Sequence, residues 1–124
     1  MTFALEVDEL KKDFIMPMSR KHVRALDGLS FSVKEGSIVG FLGANGAGKT
    51  TTLKIILRLI FADSGSARIL GKPNTDIDIK NEVGFLPERP YFYDYLTGRE
   101  FLVFCTQIFQ KKIPTSRIAE LLDE

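Results

Sequence analysis

Gly43-Ala44-Asn45-Gly46-Ala47-Gly48-Lys49-Thr50-Thr51 decides how this chain is read. The stretch fits G-x-x-x-x-G-K-[ST], a pattern whose glycines let a loop turn its backbone N–H groups toward phosphate oxygens. Its flanks agree with that reading. Ile38-Val39-Gly40-Phe41-Leu42 precedes it, a short apolar run expected to be a buried strand. Leu53, Ile56, Leu57 and Ile60 follow at i, i+3, i+4, i+7, one face of a helix expected to end near Phe61. Strand, glycine loop and helix, in that order, is the setting the pattern needs.

Each residue of the loop has an expected task. Gly43 permits the tight turn out of the strand, and Gly46 and Gly48 permit backbone conformations closed to other residues. The helix starting near Gly48 or Lys49 offers unpaired N–H groups and the positive end of its dipole to an anion. Lys49 reaches the β- and γ-phosphates, and the Thr50 hydroxyl faces Mg2+. The competing reading is a glycine-rich turn that happens to contain Lys-Thr; the flanking elements argue against it.

At 124 residues the chain has the length of one domain, with 44% hydrophobic and 27% charged residues, enough to bury a core. A net charge of +1 provides no strong field for nucleic acid or an acidic membrane surface, so no nucleic-acid partner is expected. Cys105 is the single cysteine and stands among Phe101, Phe104 and Phe109, as a small core residue does. The segment from Met1 to Glu9 has no basic region followed by an apolar one, so no secretory leader is expected. The apolar run around 55–62 is interrupted by Arg58 and is too short to span a bilayer. His22, the only histidine, reads as a surface residue in a basic segment.

Residues 2–7 read as a strand, and Lys11 to His22 as a polar connection broken by Pro17. Residues 23–33 resume a strand pattern, with a bulge or turn at Asp27-Gly28. After the loop Ala62-Asp63-Ser64-Gly65, residues 66–70 and 82–86 read as short strands, separated by one or two helical turns at 76–81. Thr97-Gly98-Arg99-Glu100 is a capping box opening a helix to about Gln110. Its apolar residues are Phe101, Leu102, Phe104, Cys105, Ile108 and Phe109, and a second helix follows Pro114-Thr115 with Ile118, Leu121 and Leu122 as its stripe.

The order of these features resembles the ATP-binding subunit of an ABC transporter, close to the ATPases of ABC-2-type and multidrug or antibiotic efflux systems. The resemblance is carried by residues 25–53, from Ala25-Leu26-Asp27-Gly28-Leu29 through the glycine loop, by Ser64-Gly65 and Leu70-Gly71, and by Val83-Gly84-Phe85-Leu86-Pro87-Glu88 and Leu96-Thr97-Gly98-Arg99-Glu100. It covers the chain from about Leu10. It implies an α/β fold: a P-loop NTPase core with an antiparallel β subdomain, incomplete, and the start of a helical subdomain from about residue 88. Residues 1–124 correspond to the N-terminal portion of that domain.

The resemblance also implies roles. Phe14 takes the place of an aromatic that stacks on adenine; its other reading is a core or hairpin aromatic. Gly43, Asn45, Gly46, Ala47, Gly48, Lys49, Thr50 and Thr51 surround the phosphates of ATP, with Ala44 where the family carries Pro or Ser. Glu88 falls where the family has a glutamine that touches Mg2+ and the attacking water; its other reading is a solvated loop acid. The partners implied are a transmembrane permease subunit and a second ATPase subunit, arranged head to tail, at the inner face of the cell membrane. The aromatic group from Tyr91 to Tyr95 lies where the family docks its membrane subunit, and reads equally as local core.

The Leu-Ser-Gly-Gly-Gln signature, the apolar strand ending in Asp-Glu and the switch histidine are not in these 124 residues. Asp123-Glu124 sit in a helical stripe and do not replace that strand. The chain is therefore expected to bind Mg-ATP weakly or not at all, to show no turnover, and to be marginally stable, with unpaired strand edges. A catalytically inactive remnant or regulatory half-domain is the alternative. A small GTPase would carry Asn-Lys-x-Asp, which does not occur, and a nucleoside kinase would carry its loop nearer the N-terminus.

Overall fold

The computed structural model describes residues 2–123; Met1, the start of the segment read for a leader, and Glu124, read with Asp123, lie outside the described residues. The chain divides into two compact units, Met1–Val83 and Gly84–Glu124.

The first unit is built on a long hairpin of β1, Phe3–Ile15, and β2, His22–Lys34. With β3, Ser64–Ile69, and β4, Lys72–Pro73, they form an antiparallel sheet in the order β2-β1-β3-β4. The polar connection expected from Lys11 is instead the second half of β1. Lys11, Lys12, Asp13, Phe14 and Ile15 pair with Asp27, Leu26, Arg24, Val23 and His22, leaving only 16–21 as the turn. Cross-strand partners override low hydrophobicity here, and one pair is ionic, with Arg24 Nε 3.0 Å from Asp13 Oδ1.

Bulges set which side chains face inward. Asp8 and Glu9 together oppose Ser30, and Glu9 has φ of 46°. The Glu9 N–H donates to Ser30 Oγ at 2.8 Å, and the Ser30 hydroxyl is 3.2 Å from Glu9 Oε1. The extra residue inverts the alternation, so Val7 and Leu10, three apart, both lie inside at 4% and 1% exposure. In β2, Gly28 supplies the bulge expected at Asp27-Gly28, with φ of 81°.

Val7, Leu10, Leu26 and Ala67 of the sheet meet Ile55 and Ile56 of α1, Lys49–Ile56, in one core. Burying each larger aliphatic side chain stabilises by about 1.5–3 kcal/mol. The helix is shorter than its sequence predicts. Arg58, at φ 57°, closes it: its N–H donates to Ile55 O at 2.9 Å, and the Leu59 N–H donates to Lys54 O at 2.8 Å. Asn74 Nδ2 adds donors to Ile55 O at 2.8 Å and Ile56 O at 3.3 Å. The buried stripe is accordingly Thr52, Ile55 and Ile56, while Leu53 is exposed.

Two expected strands are not formed. Residues 38–42 are irregular, and Ile38 and Leu42 stand 103% and 93% exposed. The 82–86 run begins in a 3-10 helix, Asp78–Glu82, and continues irregular, with Leu86 exposed. A strand needs a neighbour for its N–H and C=O groups, and no strand pairs with either segment among the described residues.

In the second unit, α2, Gly98–Ile108, opens on the expected capping box: Thr97 Oγ1 accepts from the Glu100 N–H at 3.3 Å, and Glu100 Oε2 accepts from the Thr97 N–H at 2.8 Å. The Thr97 N–H, and after it the Thr97 hydroxyl, which donates to Glu100 Oε2 at 2.8 Å, hold the Glu100 carboxyl below its usual pKa. α3, Thr115–Asp123, buries Ile118 and leaves Leu121 and Leu122 exposed. Phe92 meets Phe101 and Tyr93 meets Phe104 edge to face, yet the aromatic loop stays at the surface: Tyr91, Phe92, Tyr93 and Tyr95 are all exposed. Cys105 is half-buried and free.

Candidate functional site

The glycine loop is shaped by three different demands. Gly46 has φ of 83° with open space around a Cβ, so its need is purely conformational. Gly48 has φ of 91°, and a Cβ there would also lie 2.5 Å from Ala25 O and 2.7 Å from Leu26 Cδ2. Gly43 is outside the left-handed region; a Cβ there would meet the Ala47 Cβ at 3.2 Å and the Lys49 Cδ at 3.6 Å. Its task is therefore close packing of the loop against itself, not the turn out of a strand that the sequence predicts.

Gly48 is the N-cap of α1 and provides no side chain to cap it, and the first turn has no acid. The first helical bond runs from the Thr52 N–H to Gly48 O at 2.8 Å, and the Thr52 hydroxyl donates to the same oxygen at 2.8 Å. Helix geometry leaves the N–H groups of Gly48, Lys49, Thr50 and Thr51 without intrahelical acceptors, at the positive end of the dipole. Lys49 Nζ donates to Gly43 O at 2.5 Å and to Ala44 O at 2.7 Å, which fixes a positive charge across the loop. Asn45, Ala47 and Thr50 are exposed, and Thr51 is half-buried. The arrangement combines unanswered N–H donors, a helix terminus and an ammonium group, and it suits an anion.

Phe14 belongs to the same unit. It lies on β1 opposite Val23 and is 41% exposed. Gly48 abuts β2 at Ala25 and Leu26, and Leu26 is the cross-strand partner of Lys12, two residues from Phe14. The hairpin thus brings the helix terminus and this aromatic to neighbouring positions. Glu88 is an exposed bend residue of the second unit.

Sequence reasoning missed the residues around Phe14. Lys12 Nζ lies 5.5 Å from the Phe14 ring centroid and 3.0 Å from Asp63 Oδ1. The Asp13 N–H donates to Asp63 Oδ2 at 2.6 Å, and the Asp63 N–H to Lys11 O at 2.9 Å. The Asp13 amide, then the Lys12 ammonium, hold the Asp63 carboxyl below its usual range, and Arg24 does the same for Asp13. Asp63 lies about fifty residues from its partners, and only its place in a Ser- and Gly-containing loop distinguished it in the sequence.

Among the described residues no three or more His, Cys, Asp or Glu side chains cluster as a metal site, and no helix is long and apolar enough to cross a membrane.

The ABC transporter family model matches residues 26–124. An uncharacterized ABC transporter ATP-binding protein of Nostoc sp. is 48% identical over 110 residues, covering 86% of this chain and 32% of the relative. The bacitracin transport ATP-binding protein BcrA of Bacillus licheniformis is 39% identical over 103 residues, covering 80% and 34%. A solved ATP-binding subunit of an ABC transporter superposes with a TM-score of 0.71 at 30% identity, covering 86% of this chain and 42% of that one. The chain spans about a third of the length of these curated relatives. A family match over most of the chain, with ATP-binding proteins as its relatives and an ATP-binding subunit as its structural neighbour, establishes that this chain belongs to the ABC transporter family.

Proposed function

We propose that residues 43–51 form the phosphate-binding half of an ATP site. The observation that carries this is the uncapped N-terminus of α1 beneath a loop with two left-handed glycines, crossed by the Lys49 ammonium. The N–H groups of Gly48, Lys49, Thr50 and Thr51 donate to phosphate oxygens, and Lys49 leaves the Gly43 and Ala44 carbonyls for the terminal phosphates. Phe14 stacks on the adenine.

Mg2+ fits the donors of this loop. The ion takes oxygen ligands, keeps several waters and is commonly held by one or two protein oxygens with the nucleotide phosphates. The exposed Thr50 hydroxyl on the first turn of α1 is such an oxygen. When bound, Mg2+ neutralises charge that develops on the phosphates.

In the whole protein, this site serves an ATPase that drives substrate across a membrane with a transmembrane permease subunit. A second ATPase subunit sits head to tail across the nucleotide, and the assembly lies at the cytoplasmic face. Similarity to a bacitracin transport protein favours an antibiotic as the substrate. The signature and the second carboxylate strand are absent from these residues, so the chain by itself holds phosphates and does not activate water.

Calorimetric titration with Mg-ATP tests the reading. Weak binding that Lys49→Ala abolishes supports it. Binding unchanged in Lys49→Ala refutes the phosphate role, and turnover of a few per second or more by the wild-type chain refutes the separation of binding from hydrolysis.

A further inference from the structure

We infer that Lys12, held by Asp63, is a positioning residue for the base: it covers one face of Phe14, so that a nucleobase stacks on the other. The inference rests on the proposed role of Phe14 in the ATP site. Lys12 and Phe14 are two apart on β1 and therefore share a face of the strand. The Lys12 Nζ at 5.5 Å from the ring centroid is within cation–π range. A lysine on a surface strand ordinarily extends into water. This one is only 17% exposed along its side chain and is drawn back by Asp63 at 3.0 Å.

Asp63 has no freedom to follow Lys12 outward. Its second oxygen accepts from the Asp13 N–H at 2.6 Å, and its own N–H is bound to Lys11 O at 2.9 Å. The loop leaving α1 is thereby fastened to the three residues preceding Phe14. Phe14 itself keeps 41% exposure, enough for a flat ligand on the face that the ammonium leaves open. The same clamp ties the strand that carries the ring to the loop that follows α1.

The test compares Mg-ATP with Mg-tripolyphosphate, which has the phosphates without the base, on the full chain. Lys12→Met is expected to weaken ATP about three- to fivefold and leave tripolyphosphate unchanged. Lys12→Arg, which keeps the cation and the carboxylate pair, is expected to restore ATP affinity. In a Phe14→Leu background, Lys12→Met is expected to have no further effect. Unchanged ATP affinity in Lys12→Met, or equal loss for both ligands, overturns the inference. Should Lys12→Met fail to fold, Asp63→Asn carries the same comparison. Failure of the underlying phosphate reading looks different: Lys49→Ala then binds tripolyphosphate as the wild type does, and a wild-type chain that binds neither ligand overturns both readings.

Discussion

Two apolar stretches of the first unit meet opposite fates. Leu5, Val7 and Leu10 on β1 are drawn into the core, whereas Ile38, Val39, Phe41 and Leu42 stay exposed in irregular backbone. The second stretch is the more hydrophobic and looks the better buried strand. The difference is partnership. β1 has β2 on one edge and β3 on the other, and α1 covers its inner face. Residues 38–42 have no strand beside them among the described residues. Hydrophobicity favours burial, but the backbone polar groups of a strand also need a neighbour, and that neighbour comes from elsewhere in the chain.

The sharpest way to break this contrast is to shorten one leucine in each stretch. Leu10→Ala is expected to cost about 2–5 kcal/mol, because it opens a cavity at a site 1% exposed. Leu42→Ala is expected to change stability by less than about 0.5 kcal/mol. Urea unfolding of the 124-residue chain measures both, and comparable losses would show that 38–42 is packed after all. Hydrogen exchange sharpens the same point: amides of β1 exchange at rates near those of global unfolding, and those of 38–42 near free-chain rates.

Next in size is Gly65→Ala. Gly65 has φ of 87°, and a Cβ there would run into the Glu9 carbonyl at the bulge of β1. A loss of about 2–3 kcal/mol is expected, since left-handed strain and a backbone clash act together. A loss below about 1 kcal/mol would mean that the β1–β3 contact yields, and that the paired region is less rigid than the contrast requires.

Local structure needs no distant partner, and Thr97→Ala measures how much that is worth. It removes the side-chain half of the capping box, the Thr97 hydroxyl, while the backbone N–H still donates to Glu100 Oε2, and is expected to cost about 1 kcal/mol of α2 stability, read from helicity during thermal unfolding. Helicity at the start of α2 indifferent to this change would place the cause of α2 in its packing instead.

The smallest expected effect is on pH. The Asp63 and Asp13 carboxyls are held below the ordinary value of 3.8, and Glu100 below 4.5. Their contributions are fully present above those values and are lost as pH falls through and below them. Asp63→Asn is therefore expected to flatten the acid limb of the stability profile below about pH 4 and leave it unchanged near pH 7 except for a constant offset. An acid limb as steep as the wild type's would assign the pH dependence to other groups.

Much of the candidate site was legible because it is contiguous. Gly46 and Gly48 stand at left-handed positions, as the glycine loop predicts, and α1 begins at Lys49. The capping box and the Gly28 bulge were readable for the same reason: each is an agreement between residues one to three apart. The end of α1 was not, because Asn74, nineteen and eighteen residues from Ile55 and Ile56, supplies donors to its last carbonyls. Nor was the extension of β1 to Ile15, whose charged residues find their partners across the hairpin.

By itself, then, the sequence determined the features that short-range sterics and hydrogen bonding control: a loop that only glycines can form, a helix with nothing capping its first turn, and a helix that caps itself at Thr97. Tertiary structure alone decided which apolar runs become strands, where α1 stops, and that Lys12 lies over Phe14 under the hold of Asp63. Those outcomes depend on groups from distant parts of the chain meeting within hydrogen-bond reach, and periodicity along the chain does not encode that meeting.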